Sequence, residues 1–225
     1  MSQAALETLA NEFRRDGYTV ARRAIGAPMA ELCANYALLQ TGNPDYYEME
    51  DLTGSQGRYA DALGECLLLQ QLPLMQFVAQ GPLLPCYSFL RIYRRGSVLD
   101  KHLDRPSCEI STTMTLGFDT AAGQWPIWIE ACGEERALEL APGDMLIYHG
   151  ADLPHWRETY DGEFWIQVFL HYVRADGPYT SFKFDGRERI GPFDKHRQRR
   201  AIDAPAAEAT TGGAQAAAPA NEPES

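Results

Sequence analysis

The sequence predicts a mainly β fold preceded by helices, and three observations support this fold class. Apolar residues recur at helical spacing in the first third of the chain, whereas short β-rich runs separated by turn residues fill the middle. Many short strands at such spacing are typical of a sandwich or barrel, including the jelly-roll type. The last 25 residues are rich in alanine and contain no aromatic residue. The 225 residues, 45% of them apolar, suffice for one domain and a tail.

The first region, residues 1–84, is expected to be a helical support. Leu6, Leu9 and Phe13 recur at helical spacing, and Gly17 follows them at a position where a helix C-cap is favoured. A short strand, YTVARR, is expected next. A second helix is expected to begin near Pro28, since proline is favoured in the first helical turn. The apolar side of that helix consists of Met29, Leu32, Cys33, Tyr36 and Leu39.

Two further segments complete this region. Residues 41–57 are rich in glycine, aspartate, tyrosine and glutamate, which indicates an ordered loop. Within it, residues 43–51 are expected either to cover a pocket or to form a plain surface loop. A third helix is expected at residues 60–80, where Pro73 should break or kink it.

Residues 85–200 are expected to form the β core, and residues 201–225 a disordered, acidic tail rich in alanine and proline. The strand-like runs of the core are YSFLRIY (87–93), EISTTMTLGF (109–118), WPIWIE (125–130), ALEL (137–140), DMLIYH (144–149) and EFWIQVFLHYV (163–173). Residues 187–200, RERIGPFDKHRQRR, form a basic run. Such a run is expected to be a solvated linker or, alternatively, a binding patch.

Overall charge and composition narrow the classes of partner and compartment. The net charge of −11 disfavours attraction to nucleic acids or to anionic membranes. No run of about 18 apolar residues is present, so no membrane-spanning helix is expected, and the N-terminus does not resemble a signal peptide. The five cysteines are scattered and odd in number, which indicates reduced thiols in a cytoplasmic protein. The oligomeric state stays open.

The segments with the clearest chemistry contain two histidines and a carboxylate. His102 and Asp104 are two residues apart, so on a strand their side chains would point the same way. His155 follows later, after the segment PGDMLIYHGADLP. Two histidines and one carboxylate form the facial triad that holds non-heme Fe(II) and leaves coordination positions open. An isolated HxD pair is weak evidence, but the β-rich context and the later histidine strengthen it.

Three other histidines compete for the third ligand position. His149 is expected to end a strand and face a loop or solvent. His171 is expected to be a hydrogen-bonded core residue or to line the pocket, and His196 is expected to be solvated within the basic run.

Together these segments resemble the 2-oxoglutarate/Fe(II)-dependent dioxygenases, which have a double-stranded β-helix (jelly-roll, cupin-like) core. YRRG…HLD and PGDMLIYHGADLPH are similar to the segments that supply the metal ligands in the prolyl-hydroxylase-like branch, and FRRDGYTVARRAI resembles the entry helix and strand of phytanoyl-CoA-dioxygenase-like members. The resemblance implies that His102, Asp104 and His155 are the catalytic metal ligands. It also implies that Tyr93 contacts the cosubstrate.

One position departs from the family pattern. The family usually has an arginine or lysine about ten residues after the distal histidine, to pair with the far carboxylate of 2-oxoglutarate, but Trp165 occupies that position here. Arg157 is the first alternative, because it would share a face with His155 and a guanidinium suits a carboxylate. Arg91 is the second alternative, and Gln167 could add a neutral hydrogen bond.

The resemblance implies an oxygenase that uses Fe(II), 2-oxoglutarate and O2. It would hydroxylate a small molecule, an amino acid or a peptide residue and release succinate and CO2. Asp104 favours hydroxylation, because halogenating relatives have a small residue at that position. Two alternatives stay open: a cupin-like metal enzyme that does not use 2-oxoglutarate, which the missing downstream arginine favours, and a catalytically silent binding barrel.

Overall fold

Two antiparallel sheets form the body of the molecule in this computed structural model, which describes residues 1–192. The helices are α1 (Gln3–Asp16), α2 (Ala27–Gln40) and α3 (Ala62–Ala79), and short 3-10 turns span Pro106–Cys108 and Thr180–Gly186. The strands are β1 (Tyr18–Ala21), β2 (Glu48–Glu50), β3 (Ser55–Tyr59), β4 (Leu83–Tyr93), β5 (Leu99–His102), β6 (Ile110–Phe118), β7 (Ile127–Ala131), β8 (Glu134–Leu138), β9 (Met145–Tyr148), β10 (His155–Arg157) and β11 (Trp165–Arg174). The proposed tail at 201–225 and most of the basic run, including His196, lie outside the described residues.

The larger sheet has the strand order β1-β9-β6-β11-β4-β3-β2, and the smaller sheet the order β5-β10-β7-β8. The central strand β11 pairs with β4 on one side and β6 on the other. Alternate residues of β11 point to opposite faces. Ile166, Val168 and Leu170 belong to the apolar core that the helices cover. Gln167 and His171, on the opposite face, point into the space between the two sheets.

Helix α1 agrees closely with its prediction. It ends at Asp16, and Gly17 caps it in the left-handed conformation, with φ of 78°. Leu9 and Phe13 are buried on its inner side, as the helical spacing requires.

Helix α2 begins with proline in its first turn, as predicted, but its predicted buried side is mostly wrong. Its buried residues are small: Ala30, Cys33 and Ala37. Met29, Leu32 and Leu39 are exposed. Small side chains allow the helix to lie close to β6, where a Cβ on Gly117 would be 2.9 Å from the Cβ of Ala34. Close backbone approach, rather than hydrophobicity, therefore selects the buried face.

Helix α3 continues through Pro73 instead of breaking there. Among the described helices, α3 is long and apolar enough to satisfy the length and composition criterion for a membrane span. Core helices of water-soluble proteins satisfy the same criterion, and 44% of this helix is buried inside the molecule. Leu67, Leu68 and Met75 lie in the main core.

The segment expected to be a loop at 41–57 instead contributes strands. Strands β2 and β3 form a hairpin, and β3 pairs with β4 at the edge of the larger sheet. Strand β1 pairs with β9 at the opposite edge. The region 1–84 is thus not only a helical support, because it supplies three strands to the same sheet as the β core.

A buried ion pair between Arg187 and Glu65 connects the last described residues to α3. The Glu65 carboxylate accepts hydrogen bonds from the Ser88 backbone N–H and hydroxyl at 2.9 and 3.0 Å. It also accepts from Arg187 and from the Gly191 N–H, each at 3.1 Å. The side chains of Arg187 and Glu65 are 8% and 2% exposed. Arg187, the first residue of the basic run, is therefore not solvated as expected.

We predict that Glu65→Ala lowers the free energy of unfolding by about 3–5 kcal/mol, because it leaves the Arg187 guanidinium buried without its counter-charge. Urea unfolding followed by circular dichroism measures the loss. Glu31→Ala, on the exposed side of α2, is the matched control and should change stability by less than about 0.5 kcal/mol. Equal stability of the two variants would contradict the proposed role of the pair.

Candidate metal centre

Short strands bring the three predicted ligands together between the sheets. His102 ends β5, His155 begins β10, and the two residues are directly paired in the antiparallel register. Asp104 lies two residues beyond β5, where its backbone N–H donates to the Gly150 carbonyl at 2.9 Å. The Asp104 Oδ1 atom lies 3.6 Å from His102 Nε2 and 3.7 Å from His155 Nε2. The three side chains offer ligand atoms that are all within 4.8 Å of one another.

Backbone contacts orient both imidazole rings for metal binding. His102 Nδ1 lies 2.7 Å from the Asp100 carbonyl oxygen, and His155 Nδ1 lies 3.0 Å from the Leu153 carbonyl oxygen. A carbonyl oxygen can only accept, so each Nδ1 carries the hydrogen. The lone pair of each neutral ring is then on Nε2, which faces Asp104. Metal-ligating histidines are held in this way by their second nitrogen.

The protonation equilibria of the three groups differ. Hydrogen bonding to Asp104 raises the pKa of His102, although burial opposes this. Burial lowers the pKa of His155. For Asp104, burial raises the pKa, but the hydrogen bond from His102 and the charges of the histidines outweigh it, and the net shift is downward. Asp104 therefore stays ionised, and His102 is the group whose proton competes with a metal ion.

Two residues that the sequence analysis did not single out support Asp104. The Ser111 hydroxyl donates to Asp104 Oδ2 at 3.1 Å. A Cβ on Gly150 would lie 2.5 Å from Asp104 Oδ2 and 2.5 Å from Ser111 Oγ, so the carboxylate packs directly on this glycine. Arg105 and Glu109, which flank this segment, do not contribute to the support of Asp104 by pairing with each other. Arg105 binds Asp185, and Glu109 accepts from the Arg174 backbone N–H.

The three ligands lie in the wall of a cavity of about 460 Å³. Aromatic and aliphatic side chains form much of the remaining wall. Of the segment 43–51, which was expected either to cover a pocket or to form a plain surface loop, Glu50 alone is among the lining residues, and Leu52 and Thr53 follow it in the β2–β3 turn. The lining residues are Glu50, Leu52, Thr53, Tyr87, Phe89, Arg91, Leu99, Asp100, His102, Asp104, Tyr148, His155, Phe169 and His171. A cavity of this size is suited to a small molecule.

Arg157 lies on β10 and is not among the residues that line this cavity. Its side chain is 1% exposed and donates to the Trp125 carbonyl through one nitrogen. Its Nε and second terminal nitrogen have no hydrogen-bond partner within residues 1–192. The guanidinium carbon lies 4.6 Å from the ring centre of Trp125 and 5.2 Å from that of Trp165. Burial lowers the pKa of Arg157 to about 10, so the group is still charged at neutral pH.

The other predicted cosubstrate residues, Tyr93, Arg91 and Gln167, lie on the neighbouring strands β4 and β11 of the larger sheet. Tyr93 is fully buried and accepts a hydrogen bond from Arg91 at 3.2 Å. Arg91 also forms an ion pair with Glu50 at 2.8 Å, so its charge is already balanced. The amide oxygen and nitrogen of fully buried Gln167 have no partner among the described residues.

The competing histidines lie elsewhere, except for one. The His149 ring stacks on Phe13 with centroids 4.5 Å apart, outside the triad. His171 lines the cavity and is also hydrogen-bonded, through Ser111 at 2.8 Å, so both features expected of it are present. Tyr148, which sequence reasoning missed, places its hydroxyl 3.3 Å from His155 Nε2.

We predict that His155→Ala weakens Co(II) binding by more than about 100-fold. Mutation of residues that only hydrogen-bond to a metal ligand already lowers metal affinity by about 10–100-fold. Isothermal titration calorimetry measures the affinity. His149→Ala is the matched control, because it removes a half-buried histidine outside the triad and should bind Co(II) as the wild type does. Equal losses in the two variants would refute the assignment of His155 as a ligand.

We also predict that Co(II) affinity falls as the pH is lowered, with about one proton displaced per metal ion. The metal needs neutral His102, whose pKa is raised by Asp104 above the ordinary value of 6.5. Affinity is therefore complete above that raised pKa and declines as the pH falls through it. His155 adds no competition in this range, because its pKa is lowered. Titrations across the pH range test this, and an affinity that begins to fall only well below the ordinary histidine pKa would contradict it.

Comparison with known proteins supports the fold. No family model and no curated protein sequence matches the chain. Solved structures do match. A prolyl-4-hydroxylase from Pseudomonas putida has 14% identity and a TM-score of 0.63, over 75% of this chain and 98% of that one. The α-ketoglutarate-dependent epimerase SnoN of nogalamycin biosynthesis has 15% identity and a TM-score of 0.66, over 87% and 98%.

A third structure, HygX from Streptomyces hygroscopicus with nickel and 2-oxoglutarate bound, has 13% identity and a TM-score of 0.60, over 86% of this chain and 96% of that one. At such identities the likeness concerns the fold, while the His102–Asp104–His155 cluster is a property of this chain's own residues. The chain therefore has the double-stranded β-helix fold of the 2-oxoglutarate/Fe(II) oxygenases, as its motifs predict.

Proposed function

We propose that the chain is an Fe(II)- and 2-oxoglutarate-dependent oxygenase that hydroxylates a small molecule, an amino acid or a peptide residue. The observation that carries the proposal is the convergence of His102 Nε2, His155 Nε2 and the Asp104 carboxylate beside a cavity of small-molecule size. Two imidazoles and one carboxylate are the ligand set of non-heme Fe(II) oxygenases. When bound, Fe(II) and 2-oxoglutarate supply the oxidising chemistry, with O2 consumed and succinate and CO2 released.

Arg157 supports the use of a dicarboxylate cosubstrate. A charged group buried without a counter-charge is costly, and the cost is offset when an anion binds to it. Within residues 1–192, Arg157 has no carboxylate partner and two unsatisfied nitrogens. We assign it to the far carboxylate of 2-oxoglutarate. Gln167, also unsatisfied, is assigned as a neutral donor to the same ligand.

The departure at Trp165 is consistent with this assignment. The position where the family usually has a cation carries a fully buried indole, and the guanidinium of Arg157 lies over that indole. The guanidinium of Arg157, from β10, thus lies beside the side chain at position 165, where the family usually has its arginine or lysine. The rings of Trp125 and Trp165 both contact the guanidinium, which holds it in position and keeps water away.

Tyr148 and Tyr93 complete the proposed cosubstrate pocket. Burial raises the pKa of Tyr148 well above its usual value, so its hydroxyl is a neutral donor. It lies beside His155 Nε2, whose lone pair a metal ion would use, and the hydroxyl is then free to donate to another ligand of that ion. Tyr93 is fully buried near Arg157. Arg91 donates a hydrogen bond to the hydroxyl oxygen of Tyr93.

The two alternative functions account less well for these groups. One alternative is a metal enzyme of the same fold that does not use 2-oxoglutarate, and the other is a silent binding barrel. Neither supplies an anion that would compensate the buried charge of Arg157. The reaction outcome is a separate question, because similar folds include a prolyl-4-hydroxylase, an epimerase and a carbocyclase. The Asp104 carboxylate argues against halogenation, because halogenating relatives have a small residue at that position. Incorporation of an oxygen atom from labelled O2 into the product distinguishes hydroxylation from epimerisation or ring closure.

The test is an anaerobic absorbance titration with Fe(II) and then 2-oxoglutarate. Wild-type protein should develop a visible charge-transfer band when 2-oxoglutarate is added. Arg157→Met should still bind Fe(II), but it should need at least about 30-fold more 2-oxoglutarate, because one partner of a buried charge pair is lost. Without ligand, Arg157→Met should be as stable as the wild type or more stable, since an unpaired buried charge has been removed.

Arg174→Met is the matched control, because Arg174 contacts the Ala79 carbonyl at the far end of β11 and should not affect the band. Metal binding by the wild type without a 2-oxoglutarate-dependent band or succinate release would overturn the proposal. That result would favour the metal enzyme that does not use 2-oxoglutarate.

A further inference from the structure

His171 places an unused nitrogen in the proposed active-site cavity. The residue lies on β11, lines the cavity and is 5% exposed. Its Nδ1 lies 2.8 Å from Ser111 Oγ. Its ring lies 4.4 Å from the ring of Tyr87 and parallel to that of Phe169. Among residues 1–192, the hydrogen bond that the His171 ring makes is this one at Nδ1, so Nε2 is available to a ligand.

The hydrogen-bond chain through Ser111 fixes which nitrogen carries the hydrogen. The Ser111 hydroxyl has one hydrogen and lies 3.1 Å from both Asp104 Oδ2 and the Cys108 carbonyl oxygen. Both of these oxygens can only accept, so the single Ser111 hydrogen is shared between them and Ser111 accepts from His171. Nδ1 of His171 is therefore the N–H, and Nε2 has a free lone pair. Burial lowers the pKa of His171 to about 4, so the ring is neutral at physiological pH.

Two neighbouring polar groups of the cavity are already engaged. The Tyr87 hydroxyl is within 3.2 Å of Cys108 Sγ, and Arg91 is paired with Glu50. The wall around His171 consists largely of carbon atoms from aromatic and aliphatic side chains. Those lining residues are Tyr87, Phe89, Phe169, Leu52 and Leu99. A buried acceptor in such surroundings favours ligands that have a hydrogen-bond donor over ligands that lack one, because a ligand without a donor leaves the acceptor unsatisfied.

We propose that His171 is a substrate-positioning residue, whose Nε2 accepts a hydrogen bond from an O–H or N–H group on a neutral, largely apolar, ring-sized substrate. The Asp104–Ser111–His171 chain ties this acceptor to a metal ligand, so a substrate held by His171 is held in a fixed place relative to the metal. The inference rests on the proposed function, because it names the substrate class of the same cavity. A carboxylate at this position is disfavoured, since its oxygens would face the lone pair of Nε2.

Indole and indene test the proposal. They are uncharged and similar in shape, and indole donates one N–H where indene has a CH2 group. Neither presents a basic lone pair to a metal ion. Calorimetry on Co(II)-loaded protein with 2-oxoglutarate measures both affinities. We expect the wild type to prefer indole by about tenfold, the effect of one buried hydrogen bond.

Two substitutions of His171 separate positioning from structure. In His171→Leu the preference for indole should disappear while indene still binds, which also reports that the cavity is intact. In His171→Gln, which keeps a side-chain amide oxygen near the position of Nε2, part of the preference should return. A purely structural histidine would change both affinities equally in both variants.

Several outcomes would overturn the inference. They are equal binding of indole and indene to the wild type, a preference that persists in His171→Leu, or no binding of either compound. These failures are distinct from failure of the proposed function, which is read from the Fe(II)–2-oxoglutarate absorbance band. A band without a preference for indole rejects the role of His171 alone, whereas a preference without a band rejects the oxygenase assignment and leaves the recognition site in place.

Discussion

The pairing of β10 with β5 is the interaction on which the site depends. Strand β10 has three residues, yet it places His155 opposite His102 and, on its other edge, opposite Ile129 of β7. The same strand carries Arg157, so a single short pairing positions both the proposed distal metal ligand and the proposed cosubstrate cation. The register shift between His155 and Arg157 marks an irregularity next to the site, where such features are common.

The two faces of the larger sheet do different work. One face packs against α1, α2 and α3 and contains the aliphatic residues of the main core. The other face points between the sheets and carries buried polar side chains, several of them unsatisfied, including Thr113, Thr115 and Gln167. Unsatisfied buried polar groups reduce stability and call for an explanation. The proposed cosubstrate would satisfy Gln167, and the aliphatic face provides the stability that permits such groups.

The sequence was sufficient for the local features of this protein. The end of α1 at Gly17, the proline at the start of α2 and the spacing of His102 and Asp104 are determined by residues close together in the chain. His155 was also predicted as the third member of the cluster, because it follows a recognisable turn and apolar strand. The choice of Arg157 as cosubstrate cation stays a prediction, but its burial and unpaired nitrogens fit that choice.

Features that depend on contacts between distant residues were missed. The buried side of α2 is set by the close approach of β6 at Gly117, which composition does not reveal. The β2–β3 hairpin contains glutamate, glutamine and arginine and becomes a strand pair because β4 offers it an edge. Ser111 and Gly150 support Asp104 only after the chain has folded back on itself.

The separation of the ligands along the chain has a consequence for folding. His102 and Asp104 come before β6, and His155 comes after β9, so the segment that contains β6 to β9 separates the side chains that meet. Contacts between such distant segments form late, because the loop between them must first be closed at an entropic cost. The ligand cluster is therefore unsuited to nucleate folding. A metal ion bound there would stabilise the folded protein and slow its unfolding, but it would not speed its folding.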